Sequence, residues 1–219
     1  MHSKRIRLGI LVSLAGVQPA LGSDDWRVVQ DPPHLVKVRD RPGTDIREVW
    51  AEEELSVPPV AVQDAVMDVA RFPEFMPYFS EARRLPSPGA DGALLAYFRL
   101  ELPFPLSGRD YIHKVYVDAD ARTSPDGSFA NHWFAVPDLL PRRVGVVRLA
   151  TSEGSWRITP LPGGRSHAVY RSLVDPGGRI PAFLANSSNT DGVARTFQAI
   201  EREARRRMTA QGSGQGSGR

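Results

Sequence analysis

The residues of this 219-residue chain that could donate protons, bind metals or attack carbon fall into no recognisable catalytic or metal-binding motif. The chain has no cysteine, which removes thiolate zinc sites, cysteine nucleophiles, lipidated cysteines and disulfides together. The histidines, His2, His34, His113, His132 and His167, are not paired at metal-ligand spacing. No H-E-x-x-H, G-x-S-x-G or glycine-rich phosphate loop occurs. Neither a metal nor a cofactor is expected. What remains is a patterned pair of segments. Strand alternation over Arg109 to Val117 puts Tyr111, His113 and Val115 on one face and Ile112 and Lys114 on the other. Over Leu94 to Leu100 it puts Leu94, Ala96 and Phe98 opposite Tyr97 and Arg99. Lys114 and Arg99 mark their faces as solvent-facing, so the other faces look inward as apolar walls with one imidazole and one phenol. Such a surface suits a hydrophobic ligand: apolar area supplies affinity, about 0.8 kcal/mol per buried CH₂, and a polar group orients a hydroxyl. A core histidine bonded to backbone is the plainer reading of His113. Trp133 and Trp156 read as core and pocket wall.

The positioning elements follow from periodicity and breakers. Trp26 opens a short amphipathic stretch to Gln30. Pro32-Pro33 interrupts, Leu35 to Arg39 alternates as a strand, Arg41 to Thr44 is a turn, and Ile46 to Leu55 is the returning strand. A helix starts at Pro58 with Val62, Ala65, Val66 and Val69 on one face, and Pro73 and Pro77 confine Arg71 to Phe79 to a short aromatic helix or turn. Six strands are predicted next, at 94–100, 109–117, 128–136, 144–149, 154–160 and 167–174, without intervening helices. That order implies an antiparallel sheet in an α+β fold. A last helix runs from Pro181 to about Met208. One of its faces is small (Ala185, Ser188, Gly192, Thr196, Ala199) and the neighbouring one bulky (Val193, Phe197, Ile200, Ala204). The small face either leaves space beneath the helix or permits tight packing.

Charge depends on processing. Residues 1–22 read as a secretory signal: Lys4, Arg5 and Arg7, an apolar run from Leu8 to Val17, and Ala20-Leu21-Gly22 before a cleavage at Ser23. That run is too short to cross a hydrocarbon core, which takes roughly 20 residues. The formal charge of +3 comes from 28 basic and 25 acidic residues; removing three basic ones leaves 25 − 25 = 0. A neutral domain gives no reason to expect nucleic acid as a partner. Glu201 to Arg207 reads as a solvated helix end with cations suited to the helix C-terminus. The expected organisation is therefore a signal at 1–22, one domain at 23–208 and a disordered Gly/Ser-rich tail at 209–219. With lysine nearly absent in favour of arginine, the signal suggests an exported bacterial protein, periplasmic or secreted, and a monomer.

Four motifs then resemble one family in order and spacing. Asp175-Pro176-Gly177-Gly178-Arg179-Ile180-Pro181-Ala182-Phe183-Leu184-Ala185-Asn186 resembles the junction of last strand and terminal helix in bacterial START (StAR-related lipid-transfer) domains. Ser107-Gly108-Arg109-Asp110-Tyr111 resembles their S-x-R-D-[FY] strand entry. Gly145-Val146-Val147-Arg148 with Gly154-Ser155-Trp156-Arg157-Ile158-Thr159-Pro160 resembles a further strand pair, and Leu35-Val36-Lys37-Val38-Arg39 the opening strand. The resemblance implies a helix-grip: a curved antiparallel sheet wrapped around a long C-terminal helix, with an internal hydrophobic cavity. It implies non-catalytic carriage of a sterol, phospholipid or similar molecule. A cyclase or hydrolase acting in the same cavity is the alternative.

Under that resemblance the cavity residues are Leu94, Ala96, Phe98, Tyr111, His113, Val115, Trp133, Ala135, Ser188, Gly192 and Thr196. Arg109, Asp110, Asp175, Gly177, Gly178 and Pro181 are structural, with Arg109 and Asp110 expected to form a salt-bridge or turn-bracing unit. The loop Pro137 to Arg143 corresponds to a cover over the cavity mouth, where Leu139, Leu140, Arg142 and Arg143 suit transient contact with an anionic membrane. Ala96 and Val115 stand where some sterol carriers of the family place a buried acid and base, so that pair is missing.

Overall fold

The computed structural model describes residues 25–214 except 45, 88–90, 105 and 179–181, and not the side chains of 182–191 or 211–214. The signal at 1–22, Pro181, the side chain of Ser188 and residues 215–219 lie outside the described residues.

Alternating hydrophobicity and proline-bounded turns give ten strands in one sheet. They are β1 (Arg27–Gln30), β2 (Leu35–Asp40), β3 (Arg47–Leu55), β4 (Phe79–Leu85), β5 (Leu94–Leu100), β6 (Gly108–Ala119), β7 (Phe129–Ala135), β8 (Val146–Arg148), β9 (Ser152–Leu161) and β10 (Arg165–Val174). Their order is β1-β2-β3-β10-β9-β7-β6-β5-β4, so the N-terminal hairpin pairs with the last strand. Every neighbour on this path is antiparallel. The short β8 departs from the expected pattern by lying parallel to β6, with Gly108 opposite Val146 and Asp110 opposite Arg148.

Helix α1 (Pro59–Met67) starts after Pro58 as the sequence predicts, and a 3₁₀ turn (Val69–Arg71) leads into the short α2 (Phe72–Phe75). The terminal helix α3 begins at Ala182 and runs to Gly214, so residues 209–214 belong to the helix and not to a disordered tail. Its bulky face meets the sheet as expected: Val193, Phe197, Ile200 and Ala204 are buried with Val36, Leu55, Val62 and Ile158 in the larger of two hydrophobic clusters. The smaller cluster gathers Val69, Phe72, Ala96, Phe98, Tyr111 and Leu149.

Helix α3 is also held electrostatically, which corrects the reading of Glu201 to Arg207 as a solvated end. Glu203 is only 4% exposed. Hydrogen bonds from Arg206 and Arg207 hold its carboxyl down at about 2, against the opposing effect of burial. Arg207 reaches on to the Asp68 carboxylate and the Asp64 carbonyl. The C-terminal half of α3 is thereby fixed to the end of α1.

Candidate functional site

Between the two clusters the interior is unfilled. A cavity of about 240 Å³ lies under α3, walled by the Val66–Met76 segment and by β5, β6, β7, β9 and β10. Aromatic rings run across its wall in sequence. Phe72 stacks on Phe98 at 5.6 Å, Phe98 meets Tyr111 at 5.1 Å, and Tyr111 meets His113 at 4.5 Å. His113 stacks on Trp133 at 5.9 Å, Trp133 on Tyr170 at 5.9 Å, and Tyr170 meets Trp156 at 4.6 Å. These rings alternate with outward residues along each strand, so the sheet itself sets their spacing. A wider cleft between the β2–β3 turn and Leu173 has no aromatic wall.

Leu94, Phe98, Tyr111, His113, Val115, Trp133 and Thr196 all line the cavity, as does Trp156, also read as core or wall, and the structure adds Ile200, Asn131, Ser152 and Tyr170. Three expected positions are off the wall. Ala96 is fully buried within the smaller cluster. Ala135 lies one pleat beyond Trp133, at the end of β7. Gly192 sits one turn before Thr196, with nothing within 4 Å of where a Cβ would be. Periodicity, of two in the strands and 3.6 in the helix, gives each its face but not its depth.

The polar groups in the wall are few and neutral. His113 Nε2 is 2.8 Å from Ser152 Oγ. Burial pushes the imidazole down to about 3 and raises the Tyr111 phenol, so both are uncharged at neutral pH. Asn131 Oδ1 accepts the Trp156 backbone N–H, and Thr196 Oγ1 donates to the Gly192 carbonyl, so both serve the fold. Ser152 could have been found in the sequence, because it shares a period-two face with Gly154 and Trp156 just before the strand predicted at 154–160.

Arg109 and Asp110 are structural, as expected, but act separately: as strand neighbours they point to opposite faces, Arg109 bracing a turn and Asp110 forming a salt bridge with Arg148. Arg109 donates to the carbonyls of Ser107, Pro176 and Gly177, bracing the turn before α3. In that turn Asp175 Oδ1 accepts the Gly177 N–H at 2.9 Å, and Gly177 and Gly178 take φ values of 60° and 68° that side chains resist. Asp110, on the face away from the cavity, accepts both arms of Arg148, at 2.7 and 2.9 Å, and the Tyr97 hydroxyl at 3.1 Å. Burial alone would raise the Asp110 carboxyl, but the Arg148 hydrogen bonds and charge outweigh it and leave the carboxyl below its usual range.

Arg148 also decides where the 137–143 loop lies. It donates to the carbonyls of Pro137, Leu140 and Pro141, and Arg143 pairs with Glu81 while stacking over Tyr97. The loop therefore crosses the outer face of β5 and β6 and does not cover the cavity; Leu139, Leu140, Arg142 and Arg143 are absent from its wall. Beneath this loop Tyr97 is 1% exposed, so the face marked as solvent by Arg99 is covered there.

A family described as polyketide cyclase/dehydrase and lipid transport matches residues 55–201. The chain belongs to that family. Its START-type architecture is found in a STAR-related lipid transfer protein from Xanthomonas axonopodis, 28% identical, with a TM-score of 0.72 over 83% of this chain and 99% of that one. The phosphatidylcholine transfer protein of Rattus norvegicus is 28% identical over 183 residues, 80% of this chain and 82% of its own. The Zhui aromatase/cyclase from Streptomyces sp. R1128, at 15% identity and a TM-score of 0.54, shares the fold. In this chain the hollow between sheet and terminal helix is an aromatic cavity.

Proposed function

We propose that the protein is an exported, non-catalytic carrier that holds one hydrophobic molecule under α3 and exchanges it at membrane surfaces in the bacterial periplasm. The observation that carries this reading is the unfilled cavity, whose described wall is aromatic and aliphatic with only neutral polar groups. The signal-like residues 1–22 support export. A hydrolase or cyclase would centre on His113 and Ser152, yet an imidazole held near pKa 3 is a weak base at neutral pH. Organic extraction of the purified protein followed by mass spectrometry is expected to release close to one hydrophobic molecule per chain. A clean extract from protein never exposed to detergent would defeat the carrier reading.

Membrane contact is better placed at the sheet end where α3 begins than on the 137–143 loop. Phe104, 96% exposed, precedes β6, and the wholly exposed Val144 precedes β8, whose parallel pairing brings both strands in at the same end. The Arg109-braced turn before α3 is there too, and Leu100, Leu149 and Val174 carry the cavity wall to it. Inserting one large apolar side chain is worth about 1.5–3 kcal/mol. Replacing Phe104 and Val144 by serine is expected to slow vesicle-to-vesicle transfer by about tenfold or more. Leu140→Ser, on the clamped loop, serves as the comparison, and equal rates in all three proteins would remove this docking end.

A further inference from the structure

The wall of the cavity is specific about charge. Among its described residues there is no Lys, Arg, Asp or Glu. A phosphate or carboxylate drawn into it would lose its hydration and meet no counter-charge from the described wall. Its polar groups are also unequally occupied. Asn131 and Thr196 are bonded to backbone, His113 and Ser152 are bonded to each other, and the Tyr170 phenol has Ser172 as its hydrogen-bond neighbour. The Tyr111 hydroxyl has no hydrogen-bond partner among the described residues, although Tyr111 is only 8% exposed and lines the cavity. A phenol O–H open to an apolar cavity finds no acceptor in the described wall.

We infer that the cargo is an uncharged hydrophobic molecule whose single hydroxyl or carbonyl oxygen accepts a hydrogen bond from Tyr111, and that molecules with ionised headgroups are refused. This rests on the carrier reading and narrows it. The cavity, at about 240 Å³, falls below the ~300–1,000 Å³ of most small-molecule pockets. That favours one chain or one compact ring system over a pair of acyl chains. A neutral imidazole beside the phenol is consistent with it, since neither group repels or requires a charge.

Matched probes of one chain length test this on the purified protein, stripped of lipid with a hydrophobic resin. They are 1-decanol, decanoate at pH 8 and decylphosphocholine, titrated against the fluorescence of the tryptophans, two of which, Trp133 and Trp156, line the cavity. Decanol is expected to bind at least tenfold more tightly than either charged probe. Tyr111→Phe, which removes only the hydroxyl, is expected to weaken decanol by about five- to tenfold and to leave the charged probes unchanged. Decylphosphocholine binding as tightly as decanol would overturn the inference while leaving the carrier intact, and so would a Tyr111→Phe protein that binds decanol normally. If none of the three, nor the uncharged N-phenyl-1-naphthylamine, perturbs the fluorescence, the carrier reading falls and the inference with it. Should Tyr111→Phe fold poorly, the headgroup series on the unmodified chain decides alone.

Discussion

Arg148→Ala is expected to destabilise the protein by about 3–5 kcal/mol, a drop of roughly 6–20 °C in melting temperature for a domain of this size. The side chains of Arg148 and Asp110 are 1% and 0% exposed. Removing the guanidinium leaves a carboxylate buried without a counter-charge and strips three loop carbonyls of their donor. It also frees the loop that covers Tyr97. Arg148→Lys keeps a cation but loses the two-pronged contact, so its loss should be intermediate. The pH dependence has a definite sign. In the parent chain the Asp110 carboxyl is held below its unfolded value, so its contribution is present above about pH 4 and fades as pH falls through the folded value. In Arg148→Ala that carboxyl takes up a proton readily, so the gap between the two proteins should narrow in acid. Thermal and urea unfolding followed by circular dichroism at pH 7.5 and 4 read both effects. An Arg148→Ala protein melting within 2 °C of the parent would show that this pair does not hold the loop.

The same pair fixes a feature that no local sequence pattern encodes. Alternation along β5 and β6 placed Phe98, Tyr111 and His113 on the inner wall, because a period of two is a property of the strand itself. No local pattern says over which face of a sheet a loop will fold. That was settled by Asp110 and Arg148, 38 residues apart and adjacent only through the parallel pairing of β8 with β6. Strand β4 escaped for a different reason: its run Phe79-Ser80-Glu81-Ala82-Arg83-Arg84-Leu85 is highly charged, as suits an edge strand that pairs on one side only. Ser152 and Asn131 were missed because a polar residue on an inward face is recognisable only once the neighbouring strands are in register. The helix end was misjudged from Gly and Ser content, yet α3 extends into that segment. The order of the other elements and the long terminal helix, by contrast, are legible from proline positions and spacing alone.

Between pH 7.5 and 5, His113 should cost the folded chain about 2 kcal/mol of stability. Its imidazole is pushed down to about 3 by burial, whereas the unfolded chain's histidine has its ordinary value of 6.5. Across the interval between those values the unfolded state binds the extra proton, so stability falls as pH falls. Each unit is worth about 1.4 kcal/mol, giving on the order of 2 kcal/mol by pH 5 and 4 to 5 by pH 3. The upper part of that window is informative because ordinary carboxylates, with pKa values near 4, are still largely ionised at pH 5. His113→Gln removes the titration while keeping a polar side chain that can reach Ser152 Oγ. Measured by urea unfolding at the two pH values, the variant is expected to lose about 2 kcal/mol less than the parent on acidification. Equal losses would mean that His113 is protonated or solvated in the folded chain, and the cavity wall would then not be the dry, neutral surface on which the choice of cargo depends.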